Sequence, residues 1–174
     1  MVFGLLAAPI VLLSSCGPLG GGNHKVVNAP GLSDLGSRLR EAGNSYRRSN
    51  GKSTLTNHTG LHEMAQQHAE AMARSGKLSH AGNSARSGLA ASKYQIRATA
   101  ENVMRWHVRL GRDPQAMLKT WTDSSGHRRN LLDPSYAVTG LGIAQDEQGN
   151  IWVTQMFGWK PGSGLTSPGV GSAW

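Results

Sequence analysis

The sequence predicts an α+β domain built as a three-layer α-β-α sandwich, and three observations carry that prediction. Two segments in the first half, from Leu32 and from about Thr59, repeat apolar residues at helical spacing. Two strand-like runs, Val138 to Ala144 and Ile151 to Phe157, form a hairpin across Gln145-Asp146-Glu147-Gln148-Gly149-Asn150. In the second run Ile151, Val153 and Phe157 alternate with Trp152, Thr154 and Met156, and both sets are largely apolar, so both faces of the sheet must be covered. Helices before and between such strands supply the two outer layers.

Each element follows from its own signals. Leu32, Leu35, Leu39, Ala42 and Tyr46 share one face of a helix that Asn50-Gly51 stops. The second helix carries Leu61, Met64, Ala65, His68, Ala69 and Met72 on one stripe and stops at Gly76, whose lack of a Cβ suits a left-handed cap. Between His80 and Thr99 the chain is rich in Gly, Ser and Ala, with a short helix over Ala85 to Ser92. Glu101 to His107, bearing Val103, Met104 and Trp106, reads as a short strand. Asp113-Pro114 starts the next helix, since Asp caps free amides and Pro fits the first helical position; Met117, Leu118 and Trp121 point inward and Gly126 ends it. The residues after His127 read as a loop fixed by Arg128 and Asn130.

Length and composition bound the rest. A chain of 174 residues suits one domain. Its first residues, Met1 to Leu13, are apolar and uncharged, and the run is too short to cross a bilayer as a mature helix, so it reads as an export signal, although no Lys or Arg precedes it. Leu13-Ser14-Ser15-Cys16 resembles a bacterial lipoprotein box. That resemblance implies that residues 1–16 are a signal segment ending at a lipidated Cys16, and that the mature protein is an exported, membrane-anchored envelope lipoprotein. Cys16 is the only cysteine and has no partner for an internal disulfide. Residues 17–30 and 161–174, rich in Gly, Ser and Pro, read as a flexible tether and a tail around a folded part of residues 31–160. With 18 Lys plus Arg against 10 Asp plus Glu, the formal charge of +8 favours anionic surfaces such as phospholipid headgroups or cell-wall polymers. Nucleic acid is not expected, because the basic residues are scattered and no aromatic residues interleave them as a stacking platform. A solvated basic surface with no particular partner explains the charge equally well.

The residues that could carry chemistry are His80, Glu101 and His127. Two imidazoles and a carboxylate suit a divalent transition metal, and they suit proton transfer as well. They lie 21 and 26 positions apart, so spacing alone does not bring them together. His62-Glu63-Met64-Ala65-Gln66 begins like a zincin helix, yet Gln stands where the second His is required. His68, on the apolar stripe, reads as a core histidine hydrogen-bonded within the fold. Ser124 and Ser125 beside His127 lack a nucleophile elbow, and helix capping explains them. Gly140-Leu141-Gly142 is no phosphate loop, so no nucleotide cofactor is implied; small residues in a strand let a helix pack closely.

Several short segments occur in one order: Ala65-Gln66-Gln67-His68-Ala69 with Met72-Ala73, then Leu78-Ser79-His80, then Ala100-Glu101-Asn102-Val103. Trp121 with Ser124-Ser125-Gly126-His127-Arg128-Arg129-Asn130-Leu131-Leu132 follows, then Tyr136 with Gly140-Leu141-Gly142, and finally Trp152-Val153-Thr154-Gln155-Met156-Phe157-Gly158. From about Leu39 to Gly158 the chain thus resembles the CAP superfamily (SCP or PR-1-like; cysteine-rich secretory protein, antigen 5, pathogenesis-related 1) in its compact bacterial form. The resemblance implies an α-β-α sandwich with a cleft in which His80, Glu101 and His127 match two histidines and a glutamate, lined also by Ser124, Asn102, Arg128 and Asn130. Larger members carry a second glutamate at the position of Ser124; neighbouring Asp123 is out of register, since one helical residue turns a side chain by about 100°. The resemblance implies a divalent cation, zinc foremost, a lipid or a cell-wall fragment as the cleft's ligand. No general catalytic activity defines the family, so a binding module is expected rather than an enzyme. The missing second carboxylate also removes a separate general base. A metal-dependent hydrolase using the same cleft, and a structural lipoprotein binding anionic polymers, stay open as alternatives.

Overall fold

Residues 22–162 are described by the computed structural model. The expected signal segment with Cys16, the first residues of the expected tether and the tail beyond residue 162 lie outside the described residues. In chain order the elements are β1 (Val26–Val27), α1 (Leu32–Ser49), β2 (Thr56–Asn57), α2 (Thr59–Ser75), α3 (Asn83–Tyr94), β3 (Ala98–His107), a single 3-10 turn (Val108–Leu110), α4 (Pro114–Asp123), α5 (Ser125–Leu132), β4 (Val138–Asp146) and β5 (Asn150–Trp159).

The two-sided alternation of β5 has the expected consequence. Ile151, Val153 and Phe157 join Leu35 and Leu39 of α1, Met117, Leu118 and Trp121 of α4 and Leu131 of α5 in one core. Trp152 and Met156 face the other way, onto Leu61, Met64, Ala65, Ala69 and Met72 of α2. The three-layer sandwich is therefore present. The sheet runs β1-β4-β5-β3, with β2 pairing parallel to β4 and the other pairings antiparallel. β3 is thus the edge opposite β1, with Glu101 opposite Met156 and Asn102 opposite Gln155.

Gly140 and Gly142 permit the tight packing of α2 on β4. A Cβ at Gly140 would collide with the backbone of Leu61 and His62, and one at Gly142 with that of Ala65 and Gln66. No helix among the described residues is long and apolar enough to cross a membrane.

Several elements differ from the sequence reading. The folded part begins ahead of residue 31: Val26 and Val27, two β-branched residues inside a Gly/Pro-rich stretch, pair with Asp146 and Gln145 at the β4 edge. Helix α3 is longer than Ala85 to Ser92, and β3 starts at Ala98 rather than Glu101 because the β5 ladder continues to Trp159. Most visibly, the residues after His127 are helical. Sequence periodicity cannot show α5, since its eight residues include Gly126, Arg128, Arg129 and Asn130 and only Leu131 is buried.

Candidate functional site

Successive residues of β3 project to opposite faces of the sheet, and at this edge strand the alternation divides two polar networks. Asn102 turns to the α5 side, where its Nδ2 donates to the His127 carbonyl (3.0 Å) and its Oδ1 accepts from Asn130 Nδ2 (2.9 Å). Glu101 turns to the α2 and α3 side. Its side chain is 0% exposed, so its charge must be met by protein groups.

Three elements meet it. The loop between α2 and α3 is bounded by Gly76 and Gly82, both with positive φ, and delivers His80. The Nδ1–H of His80 donates to Glu101 Oε1 at 2.9 Å. Because a carboxylate only accepts, Nδ1 carries the proton in this bond, and Nε2 is left on a ring that is about half exposed (49%). Arg86, from the first turn of α3, donates from Nε to Glu101 Oε2 at 2.8 Å. Its Nη2 lies 2.6 Å from the same oxygen as a close ionic contact outside hydrogen-bond geometry, and its Nη1 donates to the Ala81 carbonyl. His68, on the buried stripe of α2, donates from Nε2 to the Ser79 carbonyl at 2.8 Å and lies 3.7 Å from Glu101 Oε1. Burial, then the Arg86 charge, holds His68 below the usual histidine pKa even though Glu101 pulls the other way. His127 is likewise held low, first by burial and then by His80; its Nδ1 is buried and has no hydrogen-bond partner.

The structure therefore joins Glu101 to His80 and sets His127 within electrostatic reach of His80. Asn102 and Asn130 fix the backbone of His127. The other two expected cleft residues do less: Arg128 donates to the Thr122 carbonyl at the end of α4, and Ser124 makes no side-chain hydrogen bond at the junction of α4 and α5. The serines thus do not cap α5 by hydrogen bonding, contrary to the sequence reading.

His80, Glu101 and His127 do not fit a metal as three direct ligands. Both oxygens of Glu101 are engaged, one of them by a guanidinium. Two unit charges about 4 Å apart repel by about 4 kcal/mol at an effective dielectric of 20, and a divalent cation doubles that. Among the described residues no group of three or more His, Cys, Asp or Glu side chains is arranged to hold a metal ion. Glu101 instead orients His80.

Sequence reasoning missed two members of this cluster. Arg86 was indistinguishable from scattered surface arginines, six positions after His80 in a Gly/Ser-rich segment. The reading of His68 as a buried histidine bonded within the fold matches its Ser79 contact, but nothing in its spacing announced Glu101.

At the opposite edge, a groove of about 850 Å³ runs between the segment from Val26 to Ser33, α1 and α2. Its wall carries His62, whose ring bonds the Leu141 carbonyl (2.7 Å), and Gln66, whose amide pairs with both N–H and C=O of Ile143 (2.9 and 3.0 Å). These side chains stand where a neighbouring strand would, which protects the β4 edge. Glu70 there is matched by Arg74 and Gln66. The interlocked ionisable groups lie at the β3 edge, which makes that edge the candidate site.

Comparison with known proteins agrees with this architecture. The family model described as "CAP: Cysteine-rich secretory protein family" matches residues 40–157. The uncharacterized protein YkwD of Bacillus subtilis is 40% identical over 45 residues, which cover 26% of this chain and 17% of that protein, so the match spans only a small part of the relative. An outer surface protein of Borrelia burgdorferi superposes with a TM-score of 0.66 at 13% identity, covering 79% of this chain and 98% of that one. An extracellular protein of Bacillus anthracis that contains an SCP domain superposes with a TM-score of 0.64 at 22% identity, covering 77% of this chain and 45% of that one. At these identities the two structures speak for the fold alone, whereas the family model spans well over half of the chain. With the sandwich, the ordered motifs and that match together, the chain belongs to the cysteine-rich secretory protein (CAP) family.

Proposed function

We propose that this protein is an exported binding module of the bacterial envelope, anchored through a lipidated Cys16, whose cleft at the β3 edge holds a hydroxyl- and amide-rich cell-wall fragment. One observation carries the reading. Glu101, neutralised by Arg86, fixes His80 through its Nδ1, and half-buried His127, within electrostatic reach of His80, keeps a buried Nδ1 without a hydrogen-bond partner. The imidazole nitrogens suit hydrogen bonds to hydroxyl and amide groups, and Ser124 stands where a second carboxylate would divide the acid and base roles of hydrolysis, which favours binding. The +8 charge supports residence among anionic envelope polymers, and the extracellular and outer-surface descriptions of the fold relatives support an exported location.

Soluble muramyl peptides titrated into the full chain in the presence of EDTA test the ligand class. Binding that weakens about tenfold or more in His80→Ala and in His127→Ala is expected, since each loss removes about one net hydrogen bond or more from a half-buried contact. Absence of binding, or binding by both variants as tight as that of the wild type, overturns the reading. Binding to anionic vesicles that fades with salt and ignores both variants would instead assign the interaction to the basic surface. Cys16→Ser should release the protein from membranes, and continued retention refutes the anchor.

A further inference from the structure

The Glu101 cluster contains its own cation. Arg86 is only 13% exposed and Glu101 0%, so their pairing is shielded from solvent and from salt. The guanidinium is anchored twice, at the carboxylate and at the Ala81 carbonyl in the loop that carries His80. It thus neutralises the carboxylate and also braces the loop. The remaining oxygen of Glu101 serves His80, with His68 3.7 Å away and held neutral.

We infer that Arg86 is a resident cation which selects against divalent metals: it neutralises the carboxylate that backs His80, so a metal at the free imidazole nitrogen finds no net negative charge behind the ring. A metal entering from solvent meets two imidazoles and a guanidinium in place of two imidazoles and an anion. Arg86 acts through Glu101 and His80 and is a specificity-determining residue of the cleft. The inference rests on the reading of this cleft as the binding site, but it does not depend on which ligand the cleft takes.

Cobalt(II) and zinc titrations of the full chain, followed by calorimetry and by cobalt absorption, provide the test. The wild type is expected to show no one-to-one binding at micromolar metal. Arg86→Met is expected to bind one equivalent about tenfold or more tightly than the wild type, and Arg86→Met with Glu101→Gln is expected to lose that gain. Wild-type binding as tight as that of Arg86→Met overturns the inference. So does a gain that survives removal of the Glu101 charge. If Arg86→Met does not fold, the wild type still decides: its Arg86 Nε–H resonance should be protected from exchange and unmoved by millimolar zinc, and its loss or shift on metal addition refutes the assignment. Muramyl peptide binding in EDTA reports separately on the cleft reading, so either proposal can fail while the other stands.

Discussion

Two buried carboxylates, Asp146 and Glu101, are satisfied in opposite ways. Asp146 closes the β4–β5 hairpin and accepts only from neutral donors within six residues of itself: the N–H groups of Gln148 and Asn150, the Asn150 amide and the Trp152 indole, at 2.9 to 3.0 Å. Burial alone would raise its pKa, but the bonds from Trp152, Asn150 and Gln148 outweigh burial and hold it below the usual aspartate value. Glu101 takes its partners from other elements, 15 and 21 residues away in sequence, and one of them carries a full charge. A carboxylate met by neutral local donors stabilises a turn. One met by a distant cation and an imidazole fixes the relative positions of separate elements, and that second arrangement makes a site.

The largest expected effect tests this difference. Glu101→Leu leaves a buried, unpaired guanidinium and should cost about 3–5 kcal/mol in urea unfolding, whereas Glu101→Leu with Arg86→Leu should recover most of that loss. If the double variant is no more stable than the single, the two side chains are not a coupled pair. Next, Asp146→Ala should cost about 2–3 kcal/mol by stranding its neutral donors, and removing any one donor, as in Trp152→Phe, should fail to restore stability. Rescue by one such change would erase the contrast with Glu101.

Acid separates the regions as well. His68 and His127 have folded pKa values below their ordinary 6.5, so the unfolded chain takes up protons first and the stability they contribute, full above pH 6.5, falls as pH drops through their folded values. Asp146 behaves in the same sense at lower pH: its contribution is full above 3.8 and is lost as pH falls through its folded value. Melting temperature should therefore decline in two stages. His58 is also held low, by burial and then by Lys160, so His127→Gln should make the first stage shallower without abolishing it and leave the second, and an unchanged first stage would remove His127 from the account. The smallest effect belongs to the exposed pair of Glu70 and Arg74, where Arg74→Ala should shift stability by about 0.5 kcal/mol or less; a larger change in thermal unfolding would show that the groove wall depends on it.

Most of the fold was legible because it rests on periodicity. The leucine stripe of α1, the Asp113-Pro114 start of α4, where Asp113 does accept from Gln115 N, and the double alternation of β5 are local signals with local causes. Helix α5 was not legible, since eight residues with one buried side chain carry no period and its stability comes from neighbours. Arg47 shows how: fully buried in α1, it donates to the Leu131 and Asp133 carbonyls at the end of α5. The site divides in the same way. His80, Glu101 and His127 were found through their motifs, whereas Arg86 matters only through a contact made once α3 lies against β3.

The order of strands across the sheet has a geometric corollary. β1, where the described chain enters, and β3, which bears Glu101, lie at opposite ends of the path, three strand spacings or about 14 Å apart. A molecule held by the residues that precede Val26 would keep that end of the sheet nearest its support and swing the imidazole-bearing rim toward whatever lies beyond. The few residues of β1 would then set the compass bearing of the domain, while the preceding segment would set only its reach.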